Sequence, residues 1–246
     1  MEIGGKRGQI TLFIILGVVV LLVIAFLAYY GGILKKVNVS NVLPVQLEPI
    51  RNSVSDCINK IGSDGLFLLG LRGGYINVRE PLYNIGENKI AYAYYKGKNL
   101  TQSLTVLRNE LSDYISETLP NCVDLSKFTG YDITTGKVVT STEIVENLIR
   151  ISVNYPLTIR KGATVNKLED GYMIEFPLRL EKIYYLMKDI IAMDGEVSIT
   201  YLLDTGLDVT IYTDKDKSTV IYEITDFEYK LDNKNYTYRF AQRFAD

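Results

Sequence analysis

The chain has 246 residues, with 27 Lys and Arg against 29 Asp and Glu and a formal net charge of −2. That balance supplies no basic face for nucleic acid. Histidine and tryptophan are absent and only two cysteines occur, which excludes Ser-His-Asp and Cys-His mechanisms and leaves too few ligands for a usual structural zinc site.

In chain order, the first feature is a charge-free run from Gly8 to Leu34. About twenty helical residues span the roughly 30 Å of bilayer hydrocarbon. The run therefore predicts a transmembrane helix over 9–34, with Tyr29 and Tyr30 at the level of an interfacial aromatic belt. Lys6 and Arg7 precede it and Lys35 and Lys36 follow it, so the basic flanks are tied and do not set orientation. A removable secretory signal is a competing reading, but the apolar core exceeds its usual length.

The junction itself reads Lys6-Arg7-Gly8-Gln9-Ile10-Thr11-Leu12. It resembles the class III signal of archaeal type IV pilin-like proteins. The resemblance implies cleavage by a prepilin-type peptidase between Gly8 and Gln9, with Lys6, Arg7, Gly8 and Gln9 as processing residues. It also implies an apolar helix retained as an anchor or as packing for a filament. Phe13 stands where many pilins carry a glutamate, which points to a minor subunit or a plain single-pass protein. Further on, Val54-Ser55-Asp56-Cys57-Ile58 and Gly65-Leu66-Phe67-Leu68-Leu69-Gly70-Leu71-Arg72-Gly73-Gly74-Tyr75-Ile76 are similar to uncharacterised archaeal membrane-anchored proteins.

Past the linker 35–49, Leu47, Ile50, Val54, Cys57 or Ile58, and Ile61 share one helical face, with Gly62 as the expected stop. The glycine-rich loop Gly70–Tyr75 lacks the spacing of a nucleotide motif and predicts a turn into a strand over Tyr75–Val78. Ile90–Tyr95 predicts a strand. Leu100, Leu104, Leu107, Leu111 and Leu119 predict a second helix that Pro120 ends. Cys57 and Cys122 form an even pair and are the candidate disulfide; two free thiols are the alternative.

From Tyr131 the pattern turns to β. Strands are expected over Tyr131–Thr134, Lys137–Thr140, Leu148–Val153, Leu157–Arg160 and Tyr172–Phe176. A helix is expected over Leu178–Met193, then strands over Val197–Leu203, Leu207–Thr213, Thr219–Phe227 and Asn235–Phe240. Asp214-Lys215-Asp216-Lys217-Ser218 is only loosely like a calcium loop and predicts a polar hairpin turn. Asn38, Asn99 and Asn235 open N-x-Ser/Thr sequons, candidate glycosylation sites. Nineteen tyrosines, many of them in expected strands, offer half-buried packing or contacts to glycan or protein.

The fold class expected is α+β. One N-terminal transmembrane helix is followed by an extracytoplasmic domain with two to three helices and an antiparallel β-sheet. The segments are a cytoplasmic leader over 1–8, the span over 9–34, the linker over 35–49 and the domain over 50–246, softly divided near 130. The expected function is a membrane-anchored, single-pass cell-surface structural or interaction protein, either a pilin-like subunit or an assembly component. A tethered binding module for glycan or protein and a tethered carboxylate hydrolase are the alternatives. The expected partners are the lipid bilayer, a prepilin-type peptidase and other copies of the chain or pilin-like subunits, with no nucleic acid. No catalytic residue, cofactor or metal site is expected.

Overall fold

The computed structural model describes residues 16–23, 26, 47–86, 88–195, 199–215 and 218–244, with the side chains of 199–201 excepted. The chain divides into two compact units, Met1–Gln46 and Leu47–Asp246. In the first unit the longest described helical stretch covers residues 16–23. Among the described residues no helix is long and apolar enough to cross a membrane, since about twenty residues are needed. This corrects the expectation of a transmembrane helix over 9–34, and with it the single-pass membrane localisation and its sidedness. The processing junction Lys6, Arg7, Gly8 and Gln9, most of the expected span and Asn38 lie outside the described residues.

The second unit is mixed α and β. Its helices are α1 (Glu48–Leu71), α2 (Leu104–Cys122), α3 (Leu180–Ala192) and α4 (Ile199–Thr205). Its strands are β1 (Leu82–Ile85), β2 (Asn88–Tyr95), β3 (Lys98–Asn99), β4 (Asp132–Thr135), β5 (Val139–Val145), β6 (Leu148–Asn154), β7 (Leu157–Lys161), β8 (Thr164–Leu168), β9 (Tyr172–Pro177), β10 (Leu207–Thr213), β11 (Val220–Leu231) and β12 (Lys234–Arg243). The largest sheet has the order β1-β2-β12-β11-β10, with β3 added beside β2. Two three-stranded sheets, β4-β7-β8 and β5-β6-β9, complete the unit. The expected all-antiparallel sheet is corrected at one place: β12 runs parallel to β2, pairing Ala241 with Tyr92.

Helix α1 is the centre of the packing. Ile50, Val54, Ile58, Ile61, Leu66 and Leu69 are buried along it. Gly62, expected to stop the helix, lies inside it instead. A Cβ there would meet the Phe176 ring of β9 at 3.0 Å, so the small residue serves close approach. A Cβ on Gly65 would lie 2.7 Å from Leu111 of α2, and one on Gly70 would collide with the Thr237 carbonyl of β12. The three glycines thus let α1 sit tightly against a sheet, a helix and the second sheet, which repays their poor helix propensity.

The tight β11–β12 hairpin turns at Asp232 and Asn233, both at positive φ (49° and 62°). That is a turn these two residue types tolerate. The Ser63 hydroxyl of α1 donates to the Asp232 carboxylate, and the Tyr236 hydroxyl donates to the Leu66 carbonyl at 3.2 Å. Helix and hairpin are therefore locked together by satisfied polar groups as well as by apolar burial.

Other expectations change for local reasons. Tyr75–Val78 forms no strand: the Ile76 and Asn77 amides donate to the Glu110 carboxylate (3.0 and 3.4 Å), and Arg72 Nη1 donates to the Ile76 carbonyl. Side chains satisfy that backbone in place of a ladder. Helix α2 starts after Ser103, whose hydroxyl caps the Val106 amide at 3.4 Å, and it carries Pro120 inside its last turn. Residues 199–203, expected as strand, begin α4, which stops at Gly206 with φ 64°.

One buried ion pair fastens the second half of the unit. Arg179, just before α3, donates from Nε to Asp226 Oδ2 at 2.8 Å and from Nη2 to Oδ1 at 2.5 Å. Its Nη1 donates to the Thr205 carbonyl at 2.7 Å. Asp226 Oδ1 also accepts the Glu228 and Tyr229 amides at 3.0 and 3.1 Å, where the β11–β12 register shifts. The bond to Asp226 raises the Arg179 pKa above its ordinary value, against an opposing effect of burial.

Candidate functional site

Cys57 and Cys122 are bridged, with their Cα atoms 5.8 Å apart, and the bridge ties α1 to the last residue of α2. A cleft of about 540 Å³ opens beside it, lined among others by Asp56, Lys60, Asp124 and Lys127. Asn99 is exposed at the end of β3, its side-chain oxygen accepting the Thr101 amide at 2.9 Å, and Asn235 is half-buried in β12. Among the described residues no three His, Cys, Asp or Glu gather where they could hold a metal ion.

The expected strand tyrosines separate by face. Tyr236 and Tyr238 are fully buried towards α1, and Tyr222 stacks on Phe240 at 4.8 Å between centroids, so these serve packing. Burial pushes the hydroxyls of Tyr236 and Tyr238 well above their ordinary pKa. Residues of the opposite parity define the outer face of the large sheet. There Tyr92, Ile90, Ile221 and Ala241 form a buried cluster with Tyr83, Ile85, Tyr95 and Leu100 packed against it.

On that outer face lies a groove of about 430 Å³, within the size range of small-ligand sites. Tyr83 and Ile85 of β1 line one part and Tyr212 and Thr213 of β10 another, with Asp214 and Lys215 just beyond. Ile221, Glu223 and Arg239 of β11 and β12 complete the lining. Strand register fixes the polar floor, because Glu223 faces Arg239 and Thr210 faces Glu223. Arg239 Nε donates to Glu223 Oε2 at 2.6 Å, with both side chains about three-quarters buried. The aromatic side is braced as well: Tyr83 meets Tyr92 edge-on at 6.4 Å, and the Tyr92 hydroxyl bonds Thr219 at 3.1 Å.

Asp214 holds the rim in shape. Its Oδ1 accepts the Ser218 and Thr219 amides at 2.8 and 3.2 Å, and its Oδ2 accepts the Ser218 hydroxyl at 3.2 Å. Desolvation pushes its pKa up, but the Thr219 and Ser218 bonds outweigh that, and the net shift is below the ordinary 3.8. A carboxylate with a lowered folded pKa stabilises above its unfolded value and loses that contribution as pH falls through the folded one. In an NMR titration the Ser218 and Thr219 amides are expected to shift with a midpoint below 3.8; a midpoint at or above that value contradicts the turn's bonding.

Sequence reading singled out Asp214 only as part of a turn, and missed Tyr83, Tyr212, Glu223 and Arg239. The one signal available was strand alternation, which places Glu223 and Ile221, or Arg239 and Ala241, on a common face. No protein-family model, curated protein or solved structure matches the chain.

Proposed function

We propose that the 47–246 unit is a binding domain without catalysis, and that it recognises a neutral glycan in the groove on the outer face of its large sheet. The observation that supports this best is the groove's composition. Two tyrosines offer flat apolar surface to the C–H face of a sugar ring. The Arg239–Glu223 pair offers donors and acceptors side by side, suited to hydroxyls that do both. Arg239 and Lys215 balance Glu223 and Asp214, so the groove carries no formal charge and favours an uncharged ligand over a polyanion.

The same residues weigh against the carboxylate hydrolase. Asp214 is engaged by two amides and Glu223 by a guanidinium, which leaves neither carboxyl placed as a proton donor. Screening the full chain against immobilised neutral and charged oligosaccharides, followed by calorimetry, tests the proposal. A neutral glycan should be retained, and Tyr212→Ala should weaken it about tenfold, roughly 1.4 kcal/mol. Tyr212 is 49% exposed, so the substitution leaves the fold intact. Retention of no neutral glycan, or equal affinity in the variant, overturns the reading.

A further inference from the structure

The sequons at Asn99 and Asn235 both fall on described residues, and the fold treats them differently. Asn235-Tyr236-Thr237 lies inside β12, where Asn235 pairs with Lys230, Tyr236 with Asp226 and Thr237 with Thr225 of β11. Its middle residue, Tyr236, is wholly buried and donates to the Leu66 carbonyl of α1. Bending that tripeptide out of the sheet would break ladder bonds and empty an aromatic site in the core. Asn99-Leu100-Thr101 is built the other way. The ladder of β3 ends at Asn99, opposite Tyr94, and residues 100–103 belong to no helix or strand. Asn99 is exposed, and its Oδ1 accepts the Thr101 amide at 2.9 Å, so side chain and backbone close an Asx turn. Among the described residues no hydrogen bond engages its Nδ2. The Thr101 hydroxyl reaches the Ala93 carbonyl at 3.4 Å, longer than an ordinary hydroxyl bond and readily given up.

We propose that Asn99 is an acceptor for N-linked glycan transfer in the folded chain and that Asn235 is not. A carboxamide nitrogen is a poor nucleophile, because resonance draws its lone pair into the carbonyl. A transferase must therefore hold the amide and the hydroxyl two residues on together, clear of any ladder. The turn at 99–101 presents both from an exposed bend. In the transfer, Asn99 Nδ2 bonds to the anomeric carbon of an oligosaccharide carried on a polyprenyl diphosphate. The bond from that carbon to the diphosphate oxygen breaks, the lipid diphosphate leaves with the bonding pair, and one Nδ2 proton passes to a base of the transferase. No oxidant or reductant enters. The attached glycan stands beside β3, which pairs with β2 alone among the described residues, and shields that short edge from strand addition. Asn99 does not line the groove on the large sheet, so this site stands or falls apart from the binding reading.

Transfer in vitro tests this. The folded full chain, carrying Asn38→Gln to remove the sequon outside the described residues, is incubated with a purified oligosaccharyltransferase and its lipid-linked donor. The transferase is one that modifies synthetic peptides spanning 97–103 and 232–240 alike, so that any difference in the chain comes from the fold. Glycopeptide mass spectrometry reads the occupancy of each site. Modification of Asn99 is expected, with Asn235 left bare. Thr101→Ser should keep the transfer, whereas Thr101→Ala should abolish it at Asn99. An unmodified Asn99 in the folded chain, occupancy of Asn235 equal to that of Asn99, or full transfer to Asn99 in the Thr101→Ala variant would each overturn the proposal.

Discussion

Replacing Arg179 by Met is expected to destabilise the 47–246 unit by about 3–5 kcal/mol, the usual effect of stripping one partner from a buried ion pair. Asp226 is wholly inaccessible and the Arg179 side chain is 4% exposed, so water cannot replace the lost guanidinium. The Thr205 carbonyl loses its 2.7 Å donor in the same step. The damage should concentrate where α4 turns into β10 and where β11 shifts register. Combining Arg179→Met with Asp226→Leu should cost less than the single change, since no orphan charge then remains buried. Urea denaturation of the three proteins at neutral pH measures this. A single-variant loss below about 1 kcal/mol would show that the pair is solvated in solution.

Opening the Cys57–Cys122 bridge should have an effect of similar size. The bridge spans 65 positions in sequence, and in the chain-entropy account closing such a loop is worth about 4 kcal/mol. Reduction, or the double change Cys57→Ser and Cys122→Ser, is expected to lower the denaturation midpoint accordingly. The α1–α2 contact at Gly65 should become the first to exchange its amide protons. An unchanged midpoint after reduction would mean that α1 and α2 hold together through Leu107, Leu111 and Ile115 alone.

Much of the second unit was legible because its strands alternate. The Leu207–Thr213 reading coincides with β10, and the Leu148–Val153 and Tyr172–Phe176 readings fall within one residue of β6 and β9. What stayed hidden depends on partners distant in sequence. Gly62 looks like a helix stop until Phe176, more than a hundred residues on, is seen to need the space. Tyr75–Val78 looks like a strand until Glu110 takes its amides. The parallel pairing of β2 with β12 leaves no mark in either strand. The groove suffers most, since Tyr83 lies far in sequence from Glu223 and Arg239 and only the topology brings them together. The apolar run near the amino terminus is the opposite case: its composition alone predicted a membrane span, yet the described helical stretch there is too short for one.

The most direct test of the binding account is a chemical-shift map of the labelled full chain, titrated with a neutral oligosaccharide retained in the screen. The expected result is saturable perturbation at Tyr83, Tyr212, Ile221, Glu223 and Arg239, with the disulfide cleft around Asp56 and Lys127 unmoved. Perturbation centred on that cleft, or none on the outer face of the large sheet, would contradict it.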